Sequence, residues 1–119
     1  MKGLYYKYNI EKTNGKPFAD GFYAIVLRID GGQYVDACRA GAFEFAQSVR
    51  EENEELWKDL HLKLAELNPR KITTVFRFPN NGMCAVCDQF GNQMGEYQGS
   101  WDDQEEIIRL IAPNAEYNL

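Results

Sequence analysis

Cys84 and Cys87 stand in a C-x-x-C arrangement, a spacing that can supply half of a zinc site or a redox pair. A tetrahedral zinc site needs two further ligands, and the chain offers only Cys38 and His61. Both of these fall on stretches with helical periodicity. Residues 84 and 87 fall on a stretch that reads as a strand, where they point to opposite faces and do not share one ion. A thioredoxin-like pair sits at a helix start, and this one does not. The two cysteines therefore read as structural, with no metal and no cofactor. His61 is the one histidine. It lies one helical turn from Trp57 and from Ala65, a packing position. General-base work would need an oriented nucleophile and a polar partner for the ring. No serine or carboxylate stands at a recognisable spacing from it, so no catalytic residue is assigned.

Two glycine-bearing turns could hold an anion. Asp30-Gly31-Gly32 precedes a helix start, whose amides can receive a phosphate. It lacks the fuller G-x-G-x-x-G pattern, and Asp30 and Asp36 repel phosphate. The stretch 13–17 contains Gly15-Lys16 but lacks the upstream glycine and the following Ser or Thr of a phosphate-binding loop.

Arg28 and Arg77 carry more information, because each interrupts an apolar run that reads as a strand. A half-buried guanidinium needs carboxylates, carbonyls or a ligand to offset its desolvation. One reading is an internal ion pair, with Asp88 or Glu96 as partner. Another places the charged head in water. The functional reading is an anion or nucleotide pocket beside Tyr6, Tyr97 or Trp101. Phe43 and Leu62 are the candidate contacts for a protein partner. Phe43 falls on the polar side of its helix, among Asp36 and Arg39, and is expected to be covered by another element.

The elements that must position these groups follow from periodicity. Residues 22–46 are the organising stretch. Residues 22–29 are apolar on both faces, which reads as a central strand. Asp30-Gly31-Gly32 breaks that pattern. From Gln33, Val35, Cys38, Ala42, Phe45, Ala46 and Val49 form a helical stripe, and the small residues Cys38, Gly41 and Ala42 let the helix lie close to a sheet. Residues 4–12 alternate and read as a half-buried strand, antiparallel to 22–29. Residues 51–67 form a second helical segment with Trp57, Leu60, Leu64 and Leu67 on one side. One long bent helix would fit, but a hairpin breaking near 50–53 suits a compact domain better, with Asn53 as cap. Asn68-Pro69 ends it.

Ile72–Phe78 is β-branched and aromatic, Asn81-Gly82 marks a hairpin turn, and Met83–Asp88 returns. Residues 88–92 form another turn and 93–98 a further strand. Ser100 caps a last helix, with Trp101, Ile108 and Ile111 facing the core, and Pro113 stops it. The order β-β-α-α-β-β-β-α predicts an α+β domain: a mainly antiparallel sheet of about five strands with helices packed on one face.

The bulk properties bound the rest. A chain of 119 residues with 45% hydrophobic content forms one ordered domain, 1–119, able to bury a core without staples. Three cysteines do not close into a disulfide framework, so the expected setting is reducing. With no secretory h-region and no span-length apolar run, the expected location is the cytoplasm, with no membrane association. The net charge of −5 is concentrated after residue 50, where thirteen acidic residues face six basic ones. That balance argues against direct nucleic-acid binding, which needs a basic surface.

The stretch 7–17, KYNIEKTNGKP, followed by VLRID at 26–30 and ACRA at 37–40, resembles uncharacterised small proteins of bacteria and their phages. The later segment 91–99, before a short acidic helix, is similar to them too. The resemblance implies no known activity and no site residues. It raises the expectation of a phage-type accessory protein, such as a counter-defence factor acting in the host cytoplasm. The expected function is therefore non-enzymatic binding: blocking a host defence protein or sequestering a small anionic signalling nucleotide, with pockets built between copies if the chain self-associates. The alternatives are a small enzyme acting on nucleotides or peptides, and a structural or assembly protein without a ligand.

Overall fold

The computed structural model describes residues 11–119 of the chain. Three helices, α1 (Val35–Val49), α2 (Glu54–Leu67) and α3 (Trp101–Ile111), accompany four strands, β1 (Ile72–Phe78), β2 (Met83–Asp88), β3 (Gly99–Ser100) and β4 (Glu116–Asn118). The sheet order is β3-β2-β1-β4. β2 pairs antiparallel with both β1 and β3, while β4 runs parallel to β1. The fold is thus α+β, but its sheet is four-stranded and mixed among the described residues, not a five-stranded, mainly antiparallel one.

Two differences from the sequence expectation, and one expected strand that lies outside the described residues, account for this. The segment 22–29 forms no strand, and Tyr23 and Ile25 are 88% and 87% exposed. An apolar run specifies a strand only when another strand supplies the hydrogen bonds, and none of the described strands does so here. The strand expected at 4–12 lies almost wholly outside the described residues. The strand expected at 93–98 is instead a single bridge from Gln93 to Cys87 and a 3-10 turn, Gly95–Tyr97, before the short β3. The extended tail pairs as β4.

The helix hairpin forms where the sequence placed it. The amides of Glu52 and Asn53 fold back onto the carbonyl of Val49, which closes α1. Asn53 then caps α2, its Oδ1 accepting from the Leu56 amide at 3.0 Å. Glu54 and Glu55 occupy the first turn, where the helix dipole favours carboxylates. Ser100 is the N-cap residue of α3 but its side chain makes no capping hydrogen bond. The β1–β2 turn also matches its sequence signal: Gly82 has φ +70°, and the amides of Asn81 and Gly82 both donate to the Phe78 carbonyl.

Alternation in the hairpin decides which side is covered. Val75, Cys84, Val86 and Asp88 are buried on the helix side, with Val75 directly opposite Val86. Val75, Cys84 and Val86 meet Trp57 of α2 and Trp101, Ile107 and Ile108 of α3 in one apolar cluster. Each fully buried aliphatic side chain there contributes roughly 1.5–3 kcal/mol relative to exposure. Phe76, Phe78 and Met83 lie on the other side of the sheet and are exposed.

The inward face of α1 also departs from the expected stripe. Phe45 is 55% exposed, whereas Phe43 packs against the core, edge-on to His61 and Tyr97 at centroid distances of 4.9 and 5.7 Å. The helix turns Phe43 and Ala46 inward because its packing partner is α2, not a strand at 22–29. That segment instead lays Leu27 against Gly41, where a side-chain Cβ would approach Leu27 Cδ1 at 3.3 Å.

Candidate functional site

The first turns of α1, the last turn of α2, the loop after it and the 3-10 turn enclose a cleft of about 360 Å³. That volume falls within the range of small-molecule sites. Phe43 and Tyr97 form its aromatic corner, and Arg39 and Arg70 supply its cations. Asp36, Glu96 and Asn68 complete the polar wall.

Both arginines are held in place by the fold. Arg39 Nε donates to the Ile29 carbonyl and its Nη2 to the Leu67 carbonyl, each at 2.9 Å. These bonds tie the segment before α1 to the C-terminal end of α2. Arg70 Nε donates to Oδ2 of Asp88 at 2.6 Å, and its Nη2 donates to the Gln93 carbonyl at 2.9 Å. In each case the Nη1 amino group donates to none of the described residues. An arginine carries five N–H donors in a planar fork, so a guanidinium anchored along one edge still presents donors along the other.

Asp88 sets the angle of Arg70 and the shape of the following turn together. Its Oδ1 accepts from the amides of Phe90 and Asn92, both at 2.9 Å, while its Oδ2 takes the arginine. Burial alone would raise this carboxyl's pKa, but the Arg70 bond and the two amides outweigh it and hold the carboxyl below its ordinary value. The same partnership raises Arg70 above its ordinary value.

A second cleft, of about 280 Å³, lies beside the first and shares Asn68, Arg70 and Tyr97 with it. Leu62, Ala65, Ile72, Met94 and Ile111 line it together with Glu66 and Lys71. Besides Arg70, its charged side chains are already engaged. Lys71 Nζ donates to the Ala65 and Glu66 carbonyls at the end of α2, and the Glu66 carboxylate accepts from Lys63 at 3.3 Å.

His61 sits behind the first cleft, 1% exposed. Gln47 Oε1 accepts from Trp57 Nε1 at 3.0 Å, so this oxygen is an acceptor and His61 Nε2, at 2.9 Å, must donate to it. The ring is therefore the neutral Nε2–H tautomer, and its buried Nδ1 has no hydrogen-bond partner among the described residues. Burial, and then the nearby Arg50 charge, push its pKa down to about 4. Arg50 lies over the Trp57 ring at 4.0 Å and pairs with Glu106.

Among the described residues, those singled out from the sequence do not all line one cleft. Tyr97 lines both clefts, Phe43 the first and Leu62 the second. Burial, and then the Glu96 charge, raise the Tyr97 hydroxyl above its ordinary range. Arg28 and Arg77 line neither cleft. Arg28 Nε donates to Asp30 Oδ1 at 2.8 Å, so its carboxylate partner is two residues away and not Asp88 or Glu96. Arg77 is exposed near the end of β1. Trp101 is in the core with Arg109 over its ring at 5.5 Å, and Tyr6 lies outside the described residues. Cys84 is buried and its thiol donates to the Tyr97 carbonyl at 3.6 Å, while Cys87 falls on the opposite face. Among the described residues no group of three or more His, Cys, Asp or Glu side chains is arranged to hold a metal ion, and no helix is long and apolar enough to cross a membrane.

Sequence reasoning passed over Arg39 and Arg70. Arg39 lay on the polar side of a helix, and Arg70 in a loop after Pro69. The usable signal was Asp88: a carboxylate on the buried face of a strand requires a cation partner. No protein-family model, curated protein or solved structure matches the chain.

Proposed function

We propose that the protein is a non-enzymatic binding protein that holds a small anionic ligand of the nucleotide class in the cleft beneath Arg39 and Arg70. One observation carries this reading. Two arginines, each anchored through Nε and Nη2, keep Nη1 uncommitted around an aromatic corner of Phe43 and Tyr97. The arginine donors suit phosphate oxygens, and the aromatic rings suit a base. Asn68, Asp36 and Glu96 can meet amino and hydroxyl groups of the base or sugar. The chain's single histidine is buried and hydrogen-bonded to Gln47, which favours retention of the ligand over acid–base turnover. The resemblance to small phage and bacterial proteins supports a role as a sequestering accessory factor, with counter-defence as its setting.

Native mass spectrometry of freshly purified protein tests this reading. It expects a nucleotide-sized adduct that Arg39→Ala abolishes. Bare protein that also ignores added AMP overturns it.

A second reading, blockade of a host defence protein, is favoured by the exposed outer sheet face bearing Phe76, Phe78 and Met83. Phe78→Ser would then abolish capture of that protein and leave AMP binding intact.

A further inference from the structure

The two clefts are not independent, because Asn68, Arg70 and Tyr97 form a ridge that walls both. We infer that the ligand is a phosphodiester with two unlike arms: its charged centre lies at Arg70, a polar heterocyclic arm fills the first cleft, and an apolar arm fills the second. This inference rests on the proposed anion-binding role of the first cleft.

Charge is the first argument. Asp36 and Glu96 stand in the first cleft with Arg39 and Arg70, and Arg70 is already paired with Asp88. The formal charges of these four side chains cancel, so the cleft has no excess positive charge to match a dianion. A phosphomonoester carries close to two negative charges at neutral pH, and the second would sit unmatched near these carboxylates. A diester carries one, which the remaining guanidinium donors can satisfy.

Position is the second argument. Arg70 borders both clefts, and its Nε and Nη2 bonds hold it on the ridge. An anion on its outer edge has one cleft on either side. A monoester bound there would leave the second cleft unfilled, whereas a diester has a second ester oxygen from which a substituent can reach it.

The lining is the third argument. Lys71 and Glu66 are engaged elsewhere, and Leu62, Ala65 and Ile111 line the second cleft with the buried Met94. Leu62 is 43% exposed at its rim and would gain cover from an apolar occupant. The volume of about 280 Å³ exceeds the roughly 150 Å³ cavity that accommodates benzene, so a phenyl ring or a short branched chain fits.

Isothermal titration with inorganic phosphate, AMP and the 5′-phenyl phosphodiester of adenosine separates the possibilities. The inference expects the phenyl diester to bind about tenfold tighter than AMP, the scale of covering one apolar ring. Leu62→Ser should remove most of that gain and leave AMP affinity unchanged. As a second readout that does not depend on a variant, the Met94 methyl resonance should shift with the diester and not with AMP. A diester that binds no tighter than saturable AMP, or that leaves the Met94 methyl unmoved, overturns the two-armed ligand while the anion-binding reading stands. Absence of binding by all three probes overturns both.

Discussion

Oδ2 of Asp88 accepts from Nε of Arg70 at 2.6 Å, joining the end of β2 to the loop after α2. The carboxylate is buried, and the guanidinium it orients borders both clefts. Asp88→Asn keeps the size of the side chain but removes its charge. The expected result is a lower denaturation midpoint and faster amide exchange at Phe90 and Asn92, whose N–H groups this side chain accepts. The folded-state pKa of Asp88 lies below its ordinary value. Its contribution is therefore present above the ordinary value of 3.8 and disappears as pH falls through the folded value. Unchanged exchange at both amides would contradict this role.

His61 gives a second pH dependence in a higher window. Its pKa is about 4 in the fold against 6.5 when unfolded, so between these values the unfolded chain binds the proton and the folded chain does not. Stability is fully present above 6.5 and declines as pH falls toward 4. The loss should be on the order of 3 kcal/mol. Urea denaturation across this range checks it. His61→Gln should flatten the slope whatever it does to the starting stability, and an equally steep slope in that variant would refute the assignment.

The two neighbouring phenylalanines of α1 separate contact from periodicity. Phe43→Ala should destabilise by about 2–3 kcal/mol, because its ring packs on His61 and Tyr97. Phe45→Ala should stay within about 0.5 kcal/mol, as expected for an exposed position. Equilibrium denaturation of both variants decides the matter, and the reverse ranking would mean that α1 presents the other face.

Thiol chemistry offers an independent check on the hairpin. Burial raises the Cys84 thiol above its ordinary pKa, so its reactive thiolate is scarce as well as shielded. Cys38 and Cys87 are partly exposed. Iodoacetamide under native conditions should label Cys38 and Cys87 well before Cys84, as read by peptide mass mapping. Equal labelling of Cys84 and Cys87 would contradict their placement on opposite faces.

These residues also show where the sequence was informative. The β1–β2 hairpin, the break before Asn53 and the end of α2 at Asn68 were legible because each is written in adjacent residues: an Asn-Gly turn, a capping side chain, a proline. The segment 22–29 misled because its pattern is local while strand pairing is not. The parallel docking of β4 on β1 depends on contacts across some forty residues of chain, which no short pattern encodes. Phe43 is covered as expected, and the exposure of Phe45 follows from which element α1 packs against. The site was the least legible part. Arg39 and Arg70 looked like surface residues, and they lie at one cleft only because α2 ends between them. Tyr97 was singled out, but as a partner for arginines that the fold places elsewhere.

The central claim is that the cleft bounded by Arg39, Arg70, Phe43 and Tyr97 binds a small anion. Titration of ¹⁵N-labelled protein with AMP tests it most directly. The account predicts saturable shifts concentrated at Ala40, Phe43, Asn68, Arg70 and Tyr97, and their loss in Arg39→Ala. Shifts that never saturate, or that gather on Phe76, Phe78 and Met83 of the outer sheet face, would contradict it.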